Sequence, residues 1–297
     1  MGYLFLCLAL AAGTVKGYCG KRTSGFVREY KDAVFTNFLR MMLCVLISFI
    51  MLSVQGKLSL LKTDINVILI SALSGVTTSV FVVAWLMSVR RGAYMMLDVF
   101  LMLGVTVPIV LSKFFFSEEI RLNQWIGLAV LFVAAFIMCS YNNQIKERIG
   151  LGSAVLLIIC GLSNGLTDFS QKLFVKTAEG SSAAVFNFYT YIFSAAVLLI
   201  IYIAAKARDK SGSSGTDVLR AVGIYVTIMS LCLFLNSYFK TLAAGLLPSA
   251  VLYPLTQGAS LILSSVMSAV LFKEKLTAKC ITGIALSFAG LLIINLL

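Results

Sequence analysis

Runs of apolar residues about 20 long recur along this chain, the length a helix needs to cross roughly 30 Å of hydrocarbon at 1.5 Å per residue. They fall at approximately 2–20, 33–54, 66–89, 93–116, 122–141, 151–171, 183–205, 218–239, 246–272 and 278–297. Lipid offers backbone N–H and C=O groups no partner, so each span must satisfy its own, as a helix does. The runs also lack the period-2 alternation of a barrel strand. The expected fold class is therefore all-α integral membrane, with ten transmembrane helices. Composition agrees: 60% of the residues are hydrophobic and 12% charged, about half the charge of an ordinary soluble domain.

Several functional classes drop out at once. There is no His, and the seven Cys show no CxxC or Cys/His spacing, so neither a zinc site nor a disulfide scaffold is expected, and no cofactor. The net charge of +12 sits in short loops rather than in a stripe interleaved with aromatics, which argues against nucleic acid. The longest loop, from Arg208 to Asp217, is a Gly/Ser turn too small for an extramembrane enzyme domain. Residues 2–20 lack a basic leader and read as the first span rather than a signal peptide.

The chain repeats itself. Phe116, Glu118, Ile120, Gly127, Ala129 and Phe132 recur 156 residues later as Phe272, Glu274, Leu276, Gly283, Ala285 and Phe288. This divides the chain into two five-helix repeats, 1–148 and 149–297, forming one membrane domain. Five is odd, so the second repeat enters the membrane inverted. Inverted repeats are the architecture of many secondary transporters, which bind substrate near the midplane and alternate access around it. The expected partners are a small-molecule substrate, membrane lipid and, as a coupling ion, the proton. Loop Lys and Arg taken alone place both termini outside; oligomeric state is not legible.

Residues 218–297 resemble the small multidrug resistance transporters through Thr241-Leu242-Ala243, Pro248, Tyr253, Gly258, Phe272, Lys275-Leu276, Gly283, Ala289-Gly290 and the terminal run from Leu292 to Leu297. The whole chain, ten spans in two halves, is similar to the longer EamA-type permeases of the same drug/metabolite transporter superfamily. The resemblance implies a transporter of the cytoplasmic membrane rather than an enzyme, and it implies cytoplasmic termini, against the charge bias. It also marks a departure. The small exporters carry a membrane-embedded Glu eight residues before a Lys. Here the Lys positions correspond to Lys172 and Lys21, and eight residues earlier stand Asn164 and Gly13. The family's substrate-site Tyr is Tyr253, but its aromatic neighbour is Thr256 and a packing Gly is Ser260. Planar cationic drugs lose favour, and a polar or amphipathic metabolite gains.

Ionisable groups within a span are functional candidates by default, because burying a charge there costs about 2.5–3.5 kcal/mol. Asp168 shares a helix face with Asn164, and it either binds proton or substrate or pairs with Lys172 at i, i+4. Asp98 lies about five residues into the fourth span, with Arg90 or Arg91 as alternative structural partners. Lys16 either snorkels to the headgroups or faces a shared cavity opposite Asp168, an arrangement suited to a zwitterion or an anion. Tyr253-Pro254 introduces a kink that either packs or lines a cavity, with Gln257 one turn on as a polar contact. Asn236, Asn187 and Trp85 read as interhelical glue or packing. The competing function is an accessory membrane subunit without a transport cycle.

Overall fold

The computed structural model describes residues 1–27, 29–90, 94–140, 151–178, 180–208, 215–271 and 278–296. The first half runs α1 (Gly2–Ser24), α2 (Tyr30–Val54), a single 3-10 turn at Leu58–Leu61, α3 (Ile65–Arg90), α4 (Tyr94–Gly104), α5 (Thr106–Phe116) and α6 (Leu122–Ser140). The second runs α7 (Leu151–Thr177), α8 (Ala183–Arg208), α9 (Gly215–Leu246), α10 (Ser249–Leu271) and α11 (Ala278–Leu296). Helices α1, α2, α3, α8, α9 and α10 are each long and apolar enough to cross a membrane, while the α4–α5 stretch, α6 and α11 carry shorter apolar segments.

One expected span is not continuous. The run 93–116 breaks at Val105 into α4 and α5. Pro108 explains it: proline has no N–H to give the carbonyl four residues back, and its ring collides with that carbonyl. The residue four back is Gly104, where α4 ends. The spared carbonyl lies against Gly165 of α7, and a Cβ on Gly165 would collide with it. Pro254, by contrast, is carried within α10 without breaking it.

Packing repeats with the sequence. Taking α1 to correspond to α7, α2 to α8, α3 to α9, α4–α5 to α10 and α6 to α11, the contacts exchange among themselves. Helix α1 packs on α9 as α7 packs on α3; α10 packs on α1 as α4 packs on α7; α2–α8 and α6–α11 each pair with their own counterpart. The ten spans are two inverted five-helix repeats clasped face to face.

Polarity is distributed opposite to that of a water-soluble bundle. Leu46, Ile50, Val133, Phe136, Ile200 and Ile203 stand exposed on the outside, while Ser48, Ser71, Ser79, Ser170 and Ser194 are buried. Without a hydrophobic drive between helices in lipid, small residues and interhelical hydrogen bonds hold the bundle. Ser79 and Ser194 hydroxyls lie 3.0 Å apart between α3 and α8. Gly75 lets α3 approach the Thr190 carbonyl of α8 too closely for any side chain, and Gly127 does the same against Gly290 between α6 and α11.

Candidate functional site

Between the halves lies a cavity of about 100 Å³, walled by α1, α3 and α4 on one side and α7, α9 and α10 on the other. Lys16, Asn164, Asn236, Lys240 and Gln257 supply its polar wall; Phe81, Trp85, Leu101 and Met267 supply its apolar wall. Asn164 and Gln257 stand well inside their helices, so the cavity is deep in the bundle. A recess of about 20 Å³, also bounded by Lys16, Phe81 and Trp85, reaches Arg40 of α2.

Behind this wall sits a buried ion pair. Lys240 Nζ donates to Asp168 Oδ1 at 2.6 Å, with both side chains almost wholly buried. The Lys240 ammonium also lies 5.6 Å from the centre of the Tyr253 ring, within cation–π range. The Tyr253 hydroxyl donates to the Asp168 carbonyl at 2.6 Å. Three helices, α7, α9 and α10, are thereby tied at one point. Two polar atoms there have no hydrogen-bond partner among the described residues, Asp168 Oδ2 and Asn164 Nδ2. One turn beyond Asp168, Gln171 Nε2 donates to Ser237 at 3.2 Å, and Ser237 donates to Asn187 at 2.9 Å.

The i, i+4 partnership of Asp168 with Lys172 does not form. Lys172 turns to the rim, where its Nζ meets Glu118 at 2.8 Å and donates to the Ala244 and Leu247 carbonyls at 3.1 and 2.9 Å. Glu118 is aimed there because Ser117 takes a left-handed conformation (φ 52°, ψ 33°) that ends α5. Its other oxygen accepts the Ser249 N–H at 2.9 Å. An anion thus meets the start of α10 and a cation the end of α9, each matching the helix dipole. Burial pushes the Glu118 carboxyl up, but the Lys172 ammonium and the Ser249 donors together outweigh it and leave it below the usual range.

The structure brings together Lys16, Asn164 and Gln257 on the cavity wall, with Asp168 and Tyr253 immediately behind. Tyr253 is fully buried and is not among the lining residues. Asp98 stands on α4, one turn before the lining residue Leu101; its side chain lies outside the described residues. Asn236 is both glue and wall: it lines the cavity and donates to the Ala9 carbonyl at 2.6 Å, joining α9 to α1.

Two residues escaped the sequence reading. The expected span 218–239 stops just short of Lys240, but α9 runs on to Leu246 and places it inside. Arg40, 2% exposed in α2, was passed over although an Arg within a span is itself a signal.

Similarity to known proteins agrees with this architecture. No curated protein matches the sequence. One solved structure, described only as "Crystal structure of protein", superposes with a TM-score of 0.74 at 12% identity, over 99% of this chain and 96% of its own, and so shares the fold. A family model for EamA-like transporters matches twice, over residues 1–140 and 151–296. With nearly its whole length matched and its helices arranged as two inverted repeats, this multi-pass membrane protein belongs to the EamA-like transporter family of the drug/metabolite superfamily.

Proposed function

We propose that this transporter carries a small polar metabolite across the cytoplasmic membrane by alternating access around the central cavity. One observation carries the reading: a chamber with a polar wall between two pseudo-symmetric halves, in a bundle whose outer surface is greasy. Rocking one half against the other would expose such a chamber to each side in turn. The rim contacts of Glu118 and Lys172, which tie α5, α7, α9 and α10 together, are what a closed end requires.

Asp168 is the proposed coupling group. Its second oxygen has no hydrogen-bond partner among the described residues, and its first is shared with Lys240. A proton and the Lys240 ammonium therefore compete for one carboxylate next to the substrate chamber. Asp98 is the second candidate, one turn from the wall.

Reconstituted protein is expected to show saturable, pH-dependent counterflow of a metabolite first found by thermal-shift screening. Asp168→Asn should abolish the pH dependence. If Asp168→Asn and Asp98→Asn each leave transport and its pH profile intact, proton coupling through these carboxylates is wrong. A stable stoichiometric complex, with no thermal shift from any metabolite, would favour the accessory-subunit reading instead.

A further inference from the structure

The chamber holds more positive charge than the structure neutralises. Among its described lining residues there are two lysines and no carboxylate. Lys240 is matched by Asp168 from behind. Lys16 is not matched: it forms no ion pair or hydrogen bond among the described residues, although it lies close enough to Lys240, Asp168 and Arg40 to interact electrostatically with each. Arg40 is buried; Asn37 accepts from its Nη1 at 2.6 Å, and its Nε has no hydrogen-bond partner among the described residues. Among the described residues the centre holds three cations, Lys16, Lys240 and Arg40, to one carboxylate, Asp168.

The loose hydrogen-bonding groups lean the same way. Among the described residues Lys16 Nζ, Arg40 Nε and Asn164 Nδ2 have no hydrogen-bond acceptor, and the first and last belong to the cavity wall. The orphan acceptors, Asp168 Oδ2 and Gln171 Oε1, belong to residues that do not line it. Within a membrane an uncompensated cation is expensive, and its natural complement is a negative group that arrives with the cargo. A cationic cargo would find Asp168, the one carboxylate behind the wall among the described residues, already engaged by Lys240. A neutral cargo would leave Lys16 and Arg40 unmatched.

We infer that the cargo is an anion, a small metabolite with a carboxylate or phosphate group that docks between Lys16 and Arg40, beside Trp85 and Asn164. This rests on the transport reading and narrows its substrate class.

Trp85 borders both the chamber and the Arg40 recess, so it reports the charge there without knowledge of the cargo. In Trp125→Phe protein, Trp85 is the sole Trp. Its fluorescence is titrated with acrylamide, iodide and caesium at constant ionic strength. Acrylamide should reach it, and iodide should quench at least about threefold better than caesium, because a charged, low-dielectric cleft concentrates counter-ions. Lys16→Gln and Arg40→Gln should each lower that preference, and Lys16→Arg should keep it. Inorganic phosphate should protect Trp85 from iodide better than chloride does.

If caesium matches iodide while acrylamide quenches, the anion assignment falls and the transport reading stands. Equal protection by chloride and phosphate would assign the site to a resident inorganic ion and overturn the cargo class. If acrylamide itself never reaches Trp85, the chamber does not open to water, and the transport reading fails together with the inference.

Discussion

Asp168 and Lys172 stand one turn apart on α7, yet each finds its counter-charge elsewhere. Asp168 reaches inward to Lys240, with both partners almost fully buried. Lys172 reaches outward to Glu118 at the rim, where it also caps α9 through two carbonyls. The inner pair has little redundancy: without Asp168, Lys240 keeps the Tyr253 ring but no hydrogen-bond acceptor among the described residues. The outer pair sits among helix-end dipoles and spare hydrogen bonds, so losing one partner leaves the other still held. One helix thus carries a brittle contact beside the chamber and a forgiving one at its edge.

Asp168→Asn should produce the largest effect, a loss of counterflow and about 3–5 kcal/mol of stability, because Lys240 is left without its counter-charge. Thermal melts in detergent measure the second quantity. Replacing both partners by apolar residues, Asp168→Leu with Lys240→Met, should restore most of the melting temperature but not transport. Recovery of both would make the inner pair merely structural and erase the contrast with the rim.

Gly165→Ala tests both pairs at once, since the added Cβ would strike the Gly104 carbonyl and press on Val107. It should push α7 off the α4–α5 junction and cost about 1–3 kcal/mol. Transport should fall with stability, not independently of it.

Glu118→Gln should cost less, about 2 kcal/mol, since Lys172 keeps its two carbonyls. The sign with pH is fixed. Glu118 has a folded pKa below its usual value, so its contribution is present above the unfolded value and is lost as pH falls through the folded one. Melts at falling pH should show the wild-type protein losing this increment while the Gln variant has none to lose. A variant as acid-sensitive as the wild type would show that the rim pair contributes nothing. The smallest effect, about 1 kcal/mol, is expected for Tyr253→Phe, which removes one hydrogen bond to the Asp168 carbonyl.

The fold was largely legible because the bilayer itself imposes the rule: runs of about 20 apolar residues become helices, and an odd number per repeat inverts the second. Hydropathy could not show the break at Val105, since Pro108 and Gly104 act on backbone geometry and leave apolarity unchanged. Intramembrane charge pointed to Asp168, but its partner was hidden by a helix end. The Thr241 to Leu246 segment looks like a span terminus, while tertiary packing extends α9 through it and draws Lys240 inside. Lys172 misled for the opposite reason, because sequence spacing shows which residues share a helix face but not which neighbouring helix competes for them. Arg40 was legible in principle and was overshadowed by the loop charges.

The interruption at Val105 matters mechanically. A single unbroken rod from residue 94 to 116 would convey any tilt of its rim end straight to Leu101 on the chamber wall. The missing Pro108 hydrogen bond softens that rod at one point, between the α4 turn that packs against Gly161 of α7 and the α5 end that leads to the Glu118 contact.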